Sequence, residues 1–333
     1  MATITLALHA MATRFEMVLH GEHPVGLRAA GEEALAEVER LEAQLSLYRA
    51  SSEIAHLNAR AAQGPLRVTP SLFALLGQAQ QLHQETGGAF DITVGPLVRC
   101  WGFLGGGGHL PEADALAAAQ ARVGMGLVEL DPEQFTVRFA RQGVMLDLGA
   151  IGKGYAVERA ADILREAGVA SALLHGGTST VYALGHPPEA KCWKVAVEAP
   201  RCGGDGPRAG APRGMQARRS GAPAPPLATV PLRDQALSVS AVWGRSFQAA
   251  GKTFGHVLDP RTGQPASGAV LAAVVLPSAT ETDALSTALL VLGPGGHERI
   301  ASLRPGMKTL LVAATEDGFR VEANRIAVAS KAH

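Results

Sequence analysis

Apolar residues recurring every three or four positions mark the strongest helices of this 333-residue chain. Over 26–47, Leu27, Ala30, Ala34, Leu35, Val38, Leu41 and Leu45 form one stripe with Glu and Arg between them, which predicts an amphipathic helix. A second is predicted over 70–86, opened by Pro70 and Ser71 and stopped by Gly87-Gly88. Further helices are predicted near 111–121, from 152 to 167 before Gly168, and over 281–292. Alternating or continuous apolar runs predict strands at 13–20, 171–175, 180–184, 193–197, 229–233, 236–241 and 269–276. Hairpins are predicted for 128–130 with 136–139, across the turn signal Asp131-Pro132, and for 308–314 with 319–323. The run Gly105 to Gly108 predicts a loop. Strands and helices interleave without an internal repeat, which leaves α/β or α+β with a mixed sheet.

Residues 200–226 have another character. Gly, Pro and Ala dominate, Arg201, Arg208, Arg213, Arg218 and Arg219 add positive charge, and no periodicity is present. They read as a mobile insertion loop in an otherwise single unit over 1–333. Hydrophobic content of 47% with 18% charged residues provides for a sizeable core. Lys+Arg and Asp+Glu are both 30, so the formal charge is zero, and aromatics are 5%. Both facts argue against a nucleic-acid partner bound by bulk charge or by stacking. Cys100, Cys192 and Cys202 have neither the number of a disulfide framework nor zinc spacing. No apolar run reaches the roughly 18 residues of a transmembrane segment. The first residues lack a basic region and a long apolar stretch, so the expected compartment is the cytoplasm.

Four segments carry candidate chemistry. Thr86-Gly-Gly-Ala-Phe-Asp-Ile-Thr-Val-Gly-Pro96 is either simply a helix stop and strand, or a segment with a carboxylate, Asp91, where glycine allows close approach to a flat ligand. Leu146-Asp-Leu-Gly149-Ala-Ile-Gly152-Lys-Gly154-Tyr-Ala156 runs through a glycine-rich turn into a helix: either a plain tight turn, or a phosphate site at the helix start to which Lys153 adds a point charge. It is no Walker A motif, because Asp147 and Gly154 stand where Gly and Ser or Thr are needed. Gly255-His-Val-Leu-Asp-Pro-Arg-Thr-Gly263 is a turn expected to bring His256, Asp259 and Arg261 together, with His256 either a general base or a hydrogen-bonded turn residue. In Thr280-Glu-Thr-Asp283-Ala-Leu-Ser-Thr287, Asp283 and Thr287 share a helix face and offer hard oxygens suited to Mg²⁺. Equally, Thr280 and Asp283 have capping-box spacing.

Taken in order, these segments resemble the ApbE family, the FAD:protein FMN transferases. Met11-Ala-Thr13, Leu45-Ser-Leu-Tyr48, Ser52-Glu-Ile-Ala-His-Leu-Asn58 and Trp101-Gly-Phe103 extend the resemblance over roughly 10–325. It implies an α+β fold of mixed β-sheets and packed helices in a single two-lobed unit. It also implies transfer of FMN from FAD to a Ser or Thr hydroxyl of an acceptor protein, with release of AMP. By position, Mg²⁺ would be held by Asp283, Thr287 and the Gly152 carbonyl. FAD would contact Met11, Tyr48, Ala89, Phe90, Asp91, Gly149, Tyr155 and His256, and the catalytic pair would be His256 and Asp283. The chain departs from the family pattern at Ala12, Gly152, Thr178 and Ala241, and it shows no lipobox. A Mg²⁺-dependent FAD pyrophosphatase and a non-catalytic flavin-binding protein are the alternative readings.

Overall fold

Threonine and alanine alternate with Ile4, Leu6 and Leu8 at the N-terminus. The computed structural model folds this segment as an edge strand, β1 (Ala2–Ala10), which the periodicity reading above did not include. Residues 1–200, 226–249, 251–316 and 318–329 are described. The loop expected at 200–226 therefore lies outside the described residues apart from its two ends.

The chain continues through β2 (Thr13–Gly21), α1 (Pro24–Leu45), α2 (Glu53–Arg60), β3 (Leu66–Arg67), α3 (Pro70–Glu85), α4 (Gly95–Cys100) and α5 (Ala113–Gln120). Next come β4 (Val128–Asp131), β5 (Thr136–Phe139), α6 (Gly152–Glu166), β6 (Ser171–Gly176), β7 (Thr180–Leu184) and β8 (Trp193–Val197). The remainder holds β9 (Ala228–Leu232), β10 (Gln235–Ala241), β11 (Ser246–Ala249), β12 (Lys252–Gly255), β13 (Leu271–Leu276), α7 (Ala279–Leu292), α8 (His297–Ala301), β14 (Lys308–Thr315) and β15 (Gly318–Asn324).

Eight strands form the main sheet in the order β1-β2-β6-β7-β10-β13-β14-β15. The class is α+β. Every ladder between these strands is antiparallel, and the parallel element among the described residues is the bridge Val94–Met145. Helices α1, α6 and α7 cover one face, where their apolar stripes meet Met17, Leu19, Ala172 and Val274 in the largest core. The hairpin β8–β9 covers part of the other face, packing Val197, Val230 and Leu232 against Leu237, Leu271 and Val275. With both faces covered, all six residues of β13 are buried, which explains its unbroken apolar run. A third cluster joins α4 to the hairpin β11–β12. Trp101 and Phe103 are buried against Phe247, Phe254 and Leu258, and the Trp101 indole donates to the Gly263 carbonyl at 2.8 Å.

The β1–β2 connection is a two-residue turn in which Met11 and Ala12 have φ of 50° and 57°. Left-handed backbone suits a type I′ hairpin turn but costs a residue with a Cβ about 1–2 kcal/mol. Ala12→Gly is expected to raise unfolding stability by about 1 kcal/mol, read as a higher urea midpoint. An unchanged or lower midpoint would show that the turn is unstrained at this position.

Candidate active site

A cavity of about 1080 Å³ opens between the helix layer, the sheet and the β11–β12 hairpin. That is at or above the upper end of the roughly 300–1,000 Å³ typical of small-molecule sites. Its walls include Met11, Tyr48, Ala89, Phe90, Asp91, Gly149, Gly152, His256, Asp283 and Thr287. One expected contact stands apart. Tyr155 packs against the main core on α6, beside Glu37 and Arg40 of α1, and is not part of the cavity wall.

Each wall is held by identifiable bonds. Glu42 of α1 accepts from the Met11 N–H at 2.9 Å and from the Arg49 guanidinium at 2.8 Å, tying the strained turn to the Tyr48 segment. Tyr48 is 64% exposed at the rim. The turn after α3 is closed by Thr86, whose hydroxyl donates to the Leu82 carbonyl and accepts from the Phe90 N–H. Asp91 is 6% exposed, and its carboxylate is spent inside the loop. One oxygen accepts from the Thr93 N–H and hydroxyl, and the other meets His83 Nδ1 at 3.1 Å. That hydrogen bond to Asp91 holds the His83 pKa above its ordinary value, against the opposing effect of burial.

Asp283 faces the cavity from α7, and α6 fixes it. Its Oδ2 accepts from the Gly154 N–H at 2.9 Å, and its Oδ1 has no hydrogen bond among the described residues. Such proximity of two helices requires glycine, since a Cβ at position 154 would overlap the Ala279 carbonyl oxygen and lie 2.6 Å from the Asp283 Cβ. The cap of α7 begins two residues earlier than its Thr280-Asp283 spacing suggests. Ser278 accepts from the Glu281 N–H, and Glu158 of α6 accepts from the Ser278 hydroxyl and the Thr280 N–H. Asp283 is thereby released from capping. Thr287 donates to the Asp283 carbonyl and lies 3.1 Å from the Ser240 hydroxyl.

The turn 255–263 also differs from expectation. Asp259 pairs with Arg261 through two short bonds, while His256 turns away from them. His256 Nδ1 lies 3.1 Å from the Arg245 carbonyl and 3.2 Å from the Arg245 N–H, so either tautomer finds a partner there, and Nε2 has no partner among the described residues. Burial pushes its pKa below the ordinary histidine value, and the charges of Arg245 and Lys153 add to that against the Arg245 carbonyl. Several wall residues lay outside the expected set, among them Asp147, His175, Trp243 and Arg245. Burial pushes the Asp147 carboxyl up, countered by the Gly149 N–H and by Lys153 and Arg245. Its place just before the glycine turn was the available signal.

No group of three or more His, Cys, Asp or Glu side chains among the described residues forms a metal cage. A Mg²⁺ ion bound largely through substrate phosphates needs fewer protein ligands. Asp283 Oδ1, the Thr287 hydroxyl and the Gly152 carbonyl form an all-oxygen set of the kind it takes, so the residues present fit a hard divalent cation.

An α+β scaffold with cationic groups, an oxygen donor set and a histidine around one cavity suits an enzyme site for an anionic substrate. The ApbE family model matches residues 11–311, and the chain belongs to that family. It is 30% identical over 296 residues to the FAD:protein FMN transferase of Haemophilus influenzae, covering 86% of this chain and 79% of that protein. The Treponema pallidum FAD:protein FMN transferase is 31% identical over 303 residues, with 86% and 77% covered. Among solved structures, the ApbE protein of Thermotoga maritima superposes with a TM-score of 0.82 at 26% identity, covering 97% of both chains. The apo flavinyl transferase ApbE of Pseudomonas stutzeri gives 0.79 at 28% identity, covering 97% of this chain and 95% of that one.

Two glycines of α6 should respond differently to a methyl group. Gly154→Ala is expected to cost about 1–3 kcal/mol of unfolding stability, because α6 and α7 must separate. Gly152→Ala has only the Leu148 Cβ within reach, at 3.8 Å, and should be neutral or slightly stabilising. Denaturant midpoints measure both, and equal effects would refute the tight α6–α7 contact.

Proposed function

We propose that this protein is an FAD:protein FMN transferase. It would cleave the FAD pyrophosphate, release AMP and leave FMN esterified to a Ser or Thr hydroxyl of an acceptor protein. The observation carrying this reading is the convergence of Asp283, Thr287, Gly152 and His256 on one cavity in a member of the ApbE family. Asp283, Thr287 and the Gly152 carbonyl would hold Mg²⁺, which supplies charge neutralisation at the pyrophosphate.

The chain's own groups account for the remaining steps. Tyr48 and Trp243, both exposed aromatics on the cavity wall, offer faces for flat rings. Lys153 and Arg245 bring positive charge to the same wall without a carboxylate ion pair among the described residues. When His256 Nδ1–H donates to the Arg245 carbonyl, Nε2 carries the lone pair. It takes the proton as the acceptor oxygen bonds to the FMN phosphorus and the anhydride bond to AMP breaks. With its pKa held low, His256 is neutral at neutral pH and available as a base.

The first test measures AMP release from FAD with Mg²⁺, with and without an acceptor domain, using Asp283→Ala as the control. AMP that appears only with acceptor, matched by flavin retained on the denatured acceptor, is the expected result. AMP without acceptor would replace this reading with the pyrophosphatase, and tight FAD binding without AMP would replace it with a binding protein. His256→Gln should lower turnover about 10²–10⁴-fold, and near-normal turnover would remove it from the base role.

The pH profile follows from the sign of the shift. The base is competent when deprotonated, so kcat/KM should fall on the acid side through a pKa below the ordinary 6.5 of histidine. Lys153→Gln removes a charge that opposes protonation, and the acid limb should move to higher pH. A limb that moves to lower pH in Lys153→Gln, or one above that value in the parent enzyme, would point to a different base.

A further inference from the structure

We propose that Arg304, which lies outside the cavity, is a positioning residue that sets the spacing between two of its walls. The inference rests on the flavin-transferase reading. Arg304 sits in the turn after α8, its side chain 23% exposed. Its Nη2 reaches Glu85 Oε2 at 2.7 Å and Glu281 Oε1 at 2.8 Å, and its Nε reaches Glu281 Oε1 at 3.0 Å. The two carboxylates stand outside the cavity, on the two elements that carry different parts of its wall. Glu85 is the last residue of α3, four positions before Ala89, and Glu281 stands in the first turn of α7, two positions before Asp283.

A second arginine strengthens the α3 side. Arg299 donates to the Glu85 carbonyl through Nε and Nη2, and its guanidinium fills the space over Gly87, where a Cβ would meet it at 2.8 Å. Gly87 and Gly88 have φ of 62° and 79°, so the chain reverses here and delivers Ala89, Phe90 and Asp91 to the cavity. The α3 turn is thus anchored to the arginine pair, and among the described residues Arg304 carries that anchor by charged hydrogen bonds to Glu281 on the helix bearing Asp283. An exposed ion pair would contribute little. Here one planar guanidinium separates two carboxylates, and its removal leaves like charges facing each other in a half-buried setting. The α3 turn and the first turn of α7 would then move apart, and the flavin wall with them. A misplacement of about 1 Å can cost roughly 10²-fold in rate.

The test reads binding rather than turnover. Calorimetry would measure FAD affinity with and without Mg²⁺ for the parent protein, Arg304→Gln and Arg304→Lys, at a temperature where circular dichroism shows each fully folded. Arg304→Gln is expected to weaken Mg²⁺-dependent FAD binding about tenfold, and Arg304→Lys to restore part of it, since an ammonium keeps the charge but not the two-handed grip. KM for the acceptor protein should not change. If Arg304→Gln does not fold, Glu85→Gln, which keeps the Glu281 pair, is read the same way and should weaken binding about threefold. Affinities within about twofold of the parent, with only a lower melting temperature, would show Arg304 to be structural and overturn the proposal. Parent protein that binds FAD but transfers nothing would overturn the transferase reading alone. Parent protein that does not bind FAD would overturn both.

Discussion

The contact between Gly154 and Asp283 governs the site, because it is where α6 and α7 meet most closely. Helix N-termini leave N–H groups without intrahelical partners. In α6 one of these, on Gly154, is met by a carboxylate from the neighbouring helix rather than by water. The bond works only because position 154 has no side chain. It leaves one oxygen of Asp283 pinned and the other facing the cavity, so the direction of the carboxylate is set by the packing of two helices. A loop-borne aspartate would need other restraints to be held so well.

The sheet supplies the second constraint. Strand β10 presents Ser238 and Ser240 to α7 at a spacing of two residues, and both find hydroxyl partners there. Ser238 bridges Thr180 of β7 and Thr282 of α7, at 3.1 Å and 2.8 Å, while Ser240 meets Ser286 and Thr287. Buried hydroxyls without partners would be costly, so each satisfied pair fixes the rotation of α7 about its own axis. That rotation points Thr287 and Asp283 the same way. Glu158 adds the axial restraint by accepting from the Thr280 N–H at the start of the helix. Such polar docking selects one register, whereas the small apolar residues of α7 alone would permit sliding.

Much of this was legible in the sequence. Helices α1, α3 and α6 are apolar on one stripe, stop at Ser, Thr or Gly signals, and lie within a few residues of their expected bounds. What escaped depended on tertiary partners. The cap of α7 could not be assigned because Ser278 and Thr280 are both suitable, and Glu158, distant in sequence, completes the arrangement. Tyr155 came from the resemblance, yet it lies about 100° around α6 from Gly154 and so turns towards α1. The hairpin β11–β12 is short and largely half-exposed, which leaves little periodicity to read. Asp91 was recognisable as a site residue by motif, but no pattern announces that His83 and Thr93 occupy its carboxylate.

Charge placement explains how a chain with no net charge can present a site for a phosphoanhydride. Electrostatics that matter over a few ångströms inside a cavity are set by nearby groups rather than by the total. Arg261 and Arg304, which are not on the cavity wall, are paired, with Asp259 and with Glu85 and Glu281. On the cavity wall, Lys153 donates to the Gly149 carbonyl and Arg245 approaches the Phe103 carbonyl, and neither has a carboxylate partner among the described residues. Burial is the main cause of the lowered His256 pKa, and these two charges add to it. The same pair that would attract an anionic substrate thus reinforces what burial does to the histidine. Binding and base strength are coupled through one local potential, and a substitution that weakens the first necessarily alters the second.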